Sequence, residues 1–335
     1  MKKNILFLIV IILSSNLYSQ EIDTLPYNSF RDRIVLYGDV GTNSSHFTLK
    51  DNFNNGINKI NYKHNIKTVL GIGFAYKWFA IHLGFALPVN LRSTTKFGHS
   101  NYFDLKLRGT YKQIYYYAGV RSYKGFSIID EYKWNDSLTS FQPNGIYPNI
   151  SSSSLTIDLW YLVSKKFEMH AVLGRVGNYK KFAQTVYFKS SINSFNVNNK
   201  KESIIPIALT DSTDRSQANS IGAFELTFIP GYAMVNRLNN WQYSVFGGVG
   251  VAFQSSYYVK DKTSRSFTGL APRFDLRLSY GYNVDKYFLL LEGNYTIRSV
   301  KIQSLKYNQS FYNVRIIGGY RFKTKKSKQK ENPQP

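Results

Sequence analysis

The spacing between strand-like segments restricts the fold of this chain more than any motif in it. Apolar and polar residues alternate strictly in many short stretches, which is the pattern of a strand with two different faces. Phe274, Leu276, Leu278 and Tyr280 alternate with Arg273, Asp275, Arg277 and Ser279, and Phe103, Leu105 and Leu107 alternate with Asp104, Lys106 and Arg108. On this basis twelve strands are expected, near 33–41, 67–76, 79–87, 103–111, 113–122, 153–163, 167–177, 219–232, 241–254, 271–283, 286–298 and 309–322. Tight turns are expected at Lys77-Trp78, at Lys112, at Ser164-Lys165-Lys166, around 235–240 and at Val284-Asp285. The connections between them, 42–66, 88–102, 123–152, 178–218, 255–270 and 299–308, are long and polar. Short and long therefore take turns along the chain. Outer-membrane barrels have that rhythm, because their hairpins join through short periplasmic turns and longer extracellular loops. The expected fold is all-β: a transmembrane antiparallel up-and-down β-barrel of about 12 strands. A soluble secreted sandwich or propeller shares the alternation, but does not need aromatic-rich apolar faces on nearly every hairpin.

The N-terminus agrees. Lys2 and Lys3 precede an unbroken apolar run, Ile5 to Leu13, and a small polar stretch ending Leu17-Tyr18-Ser19. That is the plan of a secretory signal peptide cleaved after Ser19. As a retained anchor the run is short, since a spanning helix takes roughly 17–25 residues. The expected organisation is a signal peptide at 1–19, an N-terminal periplasmic segment at 20–32, the barrel at 33–322 and a basic disordered periplasmic tail at 323–335. The expected location is the cell outer membrane.

In a spanning barrel the apolar face meets lipid and the other face lines the lumen. The expected lumen-lining set is Asp104, Lys106 and Arg108 on one strand, Asp158 and Glu225 on two others, and Arg273, Asp275, Arg277, Glu292, Arg298 and Arg315 late in the chain. Such charges either fill the lumen as paired ions or form a polar constriction that selects solutes. Small barrels are filled by their side chains, which favours the ionic plug. If the barrel conducts, Arg273, Arg277, Arg298 and Arg315 are the expected constriction, Asp275 and Glu292 their expected counter-charges, and anions the preferred solutes.

Composition removes several chemistries. Cysteine is absent from the 335 residues, which excludes disulfides, zinc–thiolate sites, iron–sulfur clusters and thiol nucleophiles. The histidines, His46, His64, His82, His99 and His170, show no paired metal-ligand spacing. His99-Ser100 near Asp104 could be imagined in a hydrolase triad, but adjacent residues rarely face each other productively and triads are recognised by geometry. No nucleophile elbow, P-loop or dinucleotide fingerprint is present. Glycines such as Gly71, Gly73, Gly247, Gly248 and Gly250 fall at strand spacing, where they read as sites of close packing. No catalytic residue, metal or cofactor is expected. The formal net charge of +23 could suggest nucleic acid, but secretion and barrel patterning argue against it. Cations in extracellular loops can instead pair with the phosphates of lipopolysaccharide.

Several segments, in order, resemble a family. The signal ending Tyr18-Ser19-Gln20 and the last strand ending Gly318-Gly319-Tyr320-Arg321-Phe322 are similar to outer-membrane proteins of Bacteroidota. Leu70-Gly71-Ile72-Gly73-Phe74-Ala75-Tyr76-Lys77, His82-Leu83-Gly84-Phe85-Ala86-Leu87-Pro88, Tyr102-Phe103-Asp104-Leu105-Lys106-Leu107, Tyr123-Lys124-Gly125-Phe126 and Tyr147-Pro148-Asn149-Ile150 resemble an uncharacterised, domain-of-unknown-function family of barrels from that phylum. The resemblance covers most of the chain and implies fold and location, with no activity attached. One departure is the extension from Lys323 to Pro335 beyond the terminal aromatic, which makes the insertion signal internal.

The functional expectation is a non-enzymatic barrel, either a structural or surface-interaction protein or a narrow, porin-like solute channel. A lipid-modifying hydrolase and a barrel subunit of a secretion or adhesion assembly are the alternatives. The expected partners are outer-membrane lipid, lipopolysaccharide and the barrel-assembly machinery through the C-terminal strand, with a monomeric state and no nucleic acid.

Overall fold

The computed structural model describes residues 25–87, 94, 98–129, 145–200, 202–211, 213–261 and 263–324. The segment expected as a signal peptide, and the tail beyond Thr324, lie outside the described residues. The strands are β1 (Tyr27–Ser29), β2 (Arg33–Lys50), β3 (Lys59–Lys63), β4 (Val69–Tyr76), β5 (Phe79–Ala86), β6 (Asn101–Tyr111), β7 (Ile114–Ile128) and β8 (Ile146–Leu162). They continue with β9 (Gly177–Tyr179), β10 (Ala183–Asn199), β11 (Ser220–Leu238), β12 (Trp241–Lys260), β13 (Thr263–Asn283), β14 (Tyr287–Ile302) and β15 (Leu305–Lys323). All but β1, β3 and β9 form an antiparallel up-and-down ring. The ring closes where β15 pairs with β2, from Lys323↔Arg33 to Lys306↔Lys50. Closure pairs the first strand of the ring with the last, so no terminal edge strand remains.

The outer face is apolar. Tyr287, Leu289 and Leu291 are half exposed while the intervening Phe288 and Leu290 are buried. The same alternation exposes Leu36, Ile72, Leu159, Phe228 and Val251 around the ring. A continuous apolar exterior of this size suits hydrocarbon and would be an aggregation hazard in water.

Three strand assignments differ from the sequence reading. The seventh strand is not 167–177 but β10. Its Val186, Phe188 and Ile192 face out while Lys189, Ser191 and Asn193 face in. Its many Ser and Asn residues read as loop, although the period of two is present. Phe167–Gly177 looked like a strand because it is apolar, and a short apolar run does not reveal its conformation by periodicity alone. That stretch instead enters the lumen, so the link after β8 is no tight turn. The connections expected as long at 255–270 and 299–308 are also hairpins of extended strand. Their turns begin at Asp261 (φ 53°) and Gln303 (φ 54°), left-handed like Lys77, Lys112 and Asn239 at the opposite end. Tyr, Val and Thr in these polar stretches favour the strand.

Both mouths are closed. At the short-turn end, residues 163–182 fold inward with the one-turn helix α1 (Met169–Val172), and β9 pairs there with β1. Phe167, Met169, Ala171 and Val172 of this insert pack with Tyr115, Trp160, Tyr187 and Phe246 of the wall. Val176 packs with Val35, Tyr37, Phe288 and Ile317. At the long-loop end, Ile204, Ile205 and Leu209 fold in against Phe47, Tyr62, Phe126, Phe195 and Tyr307. There β3 bridges β2 and β7 above the shorter β4, β5 and β6. Each closure is a buried aromatic cluster built across the lumen.

Candidate functional site

Between the two closures lies a polar chamber of about 170 Å³. A space of that size holds several water molecules, since one needs roughly 10–15 Å³ by the same measure. Most strands of the ring deliver an inward ionisable side chain here. Asp104, Lys106, Arg108, Asp158, Glu225, Arg273, Asp275, Arg277, Glu292, Arg298 and Arg315 all line the chamber. So do five ionisable residues that sequence reasoning did not single out: Asp39, His82, Arg121, Arg175 and Lys189. Asp39 and Arg121 carry the inward parity of strands already expected. Lys189 was hidden by the missed β10, and Arg175 by reading the insert as a strand.

The charges form linked pairs. Arg315 Nη1 lies 2.9 Å from Asp39 Oδ1, and its Nη2 lies 3.3 Å from Asp104 Oδ2. His82 Nε2 lies 2.6 Å from Asp39 Oδ2. A Cβ on Gly71 would collide with both of those side chains, so the glycine makes room for the pair. Lys106 also pairs with Asp104. Lys189 Nζ bridges Asp275 at 3.1 Å and Asp158 at 3.3 Å. Arg277 stands off the same two carboxylates at 3.8 and 3.9 Å, its guanidinium over the Trp160 ring. Arg273 pairs with Glu225. Glu292 is not a counter-charge to the late arginines of the wall: it receives Arg175 of the insert.

Arg108 and Arg298 have no carboxylate within 4.0 Å among the described residues. Arg298 Nη2 donates to Thr156 Oγ1 and Asn193 Oδ1, both at 3.3 Å. Its Nη1 is buried without a hydrogen-bond partner. The Arg298 and Arg121 guanidiniums sit 4.8 and 5.5 Å from the centre of one ring, Phe311. Among the described residues, the chamber holds nine Lys and Arg side chains and six carboxylates.

The insert is fixed mainly through its backbone. Arg321 Nε donates to Arg175 O at 2.7 Å and its Nη2 to Gly174 O at 2.5 Å, with the guanidinium between the rings of Phe30 and Phe288. Gln242 Nε2 donates to Ala171 O at 2.9 Å, and its Oε1 accepts from Tyr179 N at 2.8 Å. Glu168 caps α1 through Ala171 N at 2.8 Å and binds Arg31 at 3.0 Å.

The imagined hydrolase residues are not assembled. Ser100 Oγ donates to Gly125 O and accepts from Asn65 N, both at 2.8 Å. Asp104 points into the chamber with its own cations.

A family model described as a domain of unknown function (DUF4421) matches residues 21–322. No curated protein matches the chain. Several solved structures are similar. The translocator domain of the autotransporter NalP from Neisseria meningitidis is 11% identical, covers 96% of each chain and gives a TM-score of 0.38. The beta domain of the Bordetella autotransporter BrkA is 11% identical over 88% of this chain and 100% of that one, with a TM-score of 0.39. An outer membrane channel from Pseudomonas putida F1 is 8% identical over 90% and 100%, with a TM-score of 0.32. None of these identities extends the likeness to function.

Proposed function

This chain belongs to the DUF4421 family, a domain of unknown function, and we propose that it is a gated, non-enzymatic outer-membrane channel for a small anionic solute, closed at rest at both mouths. The observation that carries this reading is the excess of cations over carboxylates in a chamber sealed at each end. Uncompensated charge surrounded by lipid and dry protein is expensive. A surplus retained there attracts an anion, and low-dielectric walls concentrate that attraction. Arginine stays ionised at any physiological pH, so the preference does not titrate away.

The short-turn end is the periplasmic side in this reading, because an even strand number places both barrel termini there. The insert is the more separable gate. It is one continuous segment, held by side chains that reach its carbonyls, whereas the opposite closure is woven from the tips of most strands.

Ser191→Cys provides the test, because the chain has no native cysteine and Ser191 lines the chamber. A small anionic thiol reagent should modify it slowly in the intact barrel. Replacing 167–180 by a short Gly/Ser link should make modification fast from the periplasmic side only. Fast modification of the intact barrel, or no acceleration on removing the insert, would overturn the gate.

A further inference from the structure

One break in the barrel wall lies between β13 and β14. β13 pairs with β12 along its whole length, from Trp241↔Tyr282 to Lys260↔Thr263. Against β14 it pairs only from Asn283↔Phe288 to Asp275↔Thr296. Beyond that point β14 continues its ladder with β15 to Ile302↔Leu305, but has none with β13. Pro272 sits just past the break and has no N–H with which to continue a ladder. From Thr263 to Leu270 every residue except Phe267 is exposed, and Phe267 stacks on the buried Tyr258 of β12 with ring centres 6.2 Å apart. The edge of β14 is met instead by side chains of β12. Gln254 Nε2 donates to Ser299 O at 3.3 Å, and Ser256 Oγ, which donates to Phe267 O at 3.1 Å, lies 3.5 Å from Lys301 O. These side chains stand where a backbone ladder runs elsewhere. Leu270 and Phe253, at the same level, are 75% and 52% exposed, which places the break at hydrocarbon depth. Unpaired backbone is costly at that depth unless it borders a polar or protein-lined cavity.

The chamber lies against this break. Neighbouring residues of a strand point to opposite faces. Arg273 faces the lumen, and Phe274 faces out at 38% exposure. Arg298 and Ile297, which is 39% exposed, repeat the relation on β14. All four line the same cavity. The chamber therefore borders β13 and β14 at the point where their ladder ends.

We propose that the β13–β14 seam is a lateral portal from the membrane into the chamber, and that it admits an amphiphile with one oxyanion head, a phosphate or a carboxylate. The head sits on Arg298, whose Nη1 has no other partner, with Arg273 and Arg121 nearby. The acyl chain leaves between Phe274 and Ile297 and stays in hydrocarbon. Gln254 and Ser256 latch the seam and release it without breaking any ladder. The chamber is the one invoked for the gated channel, but the route is sideways and needs neither mouth to open.

Equilibrium binding to the purified full chain in a neutral detergent tests this, with palmitate, a single-chain lysophosphatidic acid and inorganic phosphate as probes. Saturable binding of either amphiphile is expected, with inorganic phosphate at least tenfold weaker. The two amphiphiles tell a carboxylate head from a phosphate head. Arg298→Gln should weaken amphiphile binding by about tenfold or more, the loss of one charge-assisted hydrogen bond. Ile297→Trp, outside the polar cluster, keeps the test open if that variant fails to fold. It should slow amphiphile association and leave inorganic phosphate unaffected. Absence of saturable amphiphile binding, phosphate binding as tightly as the amphiphiles, or unchanged binding in both variants would overturn the portal. Conductance across the membrane is a separate readout, so amphiphile binding by a silent barrel would remove the channel and leave the portal.

Discussion

Arg175 of the insert grips Glu292 of β14 with a single nitrogen, Nη2, which lies 2.9 Å from Oε1 and 3.0 Å from Oε2. Both side chains are nearly buried, and the same guanidinium lies 5.0 Å from the centre of the Tyr37 ring. This contact is an ionic link between the insert and the wall. Removing one partner of a buried pair leaves a charge without compensation and costs about 3–5 kcal/mol. Glu292→Gln should therefore undock the insert without unfolding the ring. Limited proteolysis between Ser164 and Lys181 should become measurable while the barrel keeps its heat-modifiable mobility. Unchanged resistance would show that the backbone contacts of Arg321 and Gln242 suffice alone.

The insert also carries a pH response. His170 is buried on α1, facing Glu168, Arg31, Arg175, Arg108 and the Tyr115 ring. Burial pushes its imidazole down to about 4, and the nearby arginines push the same way against Glu168. A docked group with a depressed value stays neutral while the undocked one protonates. Docking stability is therefore full above about pH 6.5 and declines as the pH falls toward 4, by on the order of 3 kcal/mol. The accessibility of Ser191→Cys from the periplasmic side should rise between pH 7 and pH 4.5. His170→Leu should flatten the profile, and a profile unchanged by that substitution would refute the assignment.

Register sets how each wall position tolerates charge. Leu291 faces lipid, and Ser279 faces in, its Oγ 2.7 Å from Ser244 Oγ. Leu291→Arg should cost roughly 2–4 kcal/mol in vesicle unfolding, and Ser279→Arg much less. Equal costs would mean a register slipped by one residue, which exchanges the two faces.

Much of this architecture is legible in the sequence, and the failures have physical causes. The alternation in β13 and β14 places Arg273, Arg277 and Glu292 inward before any coordinates. Lys189 was lost because Ser and Asn read as loop, although Val186, Phe188 and Ile192 keep the period of two. Arg175 was misplaced because Phe167, Met169, Val172 and Val176 look like a lipid-facing strand, and lipid and a dry lumen closure select the same residues. The partner of Glu292 was unreadable for the same reason: it arrives from 117 positions away on a segment with no period of its own. Pro272 was a visible signal of an interrupted ladder, but nothing in one strand tells which neighbour it has lost.

The most direct test of a closed cationic chamber is planar-bilayer recording under a salt gradient. The full chain should show no steady conductance. A chain with short Gly/Ser links in place of both 167–180 and 202–217 should form a steady pore whose reversal potential favours anions, and Arg277→Glu in that background should weaken the preference. A steady pore in the unaltered chain, or cation selectivity in the opened one, would contradict the account.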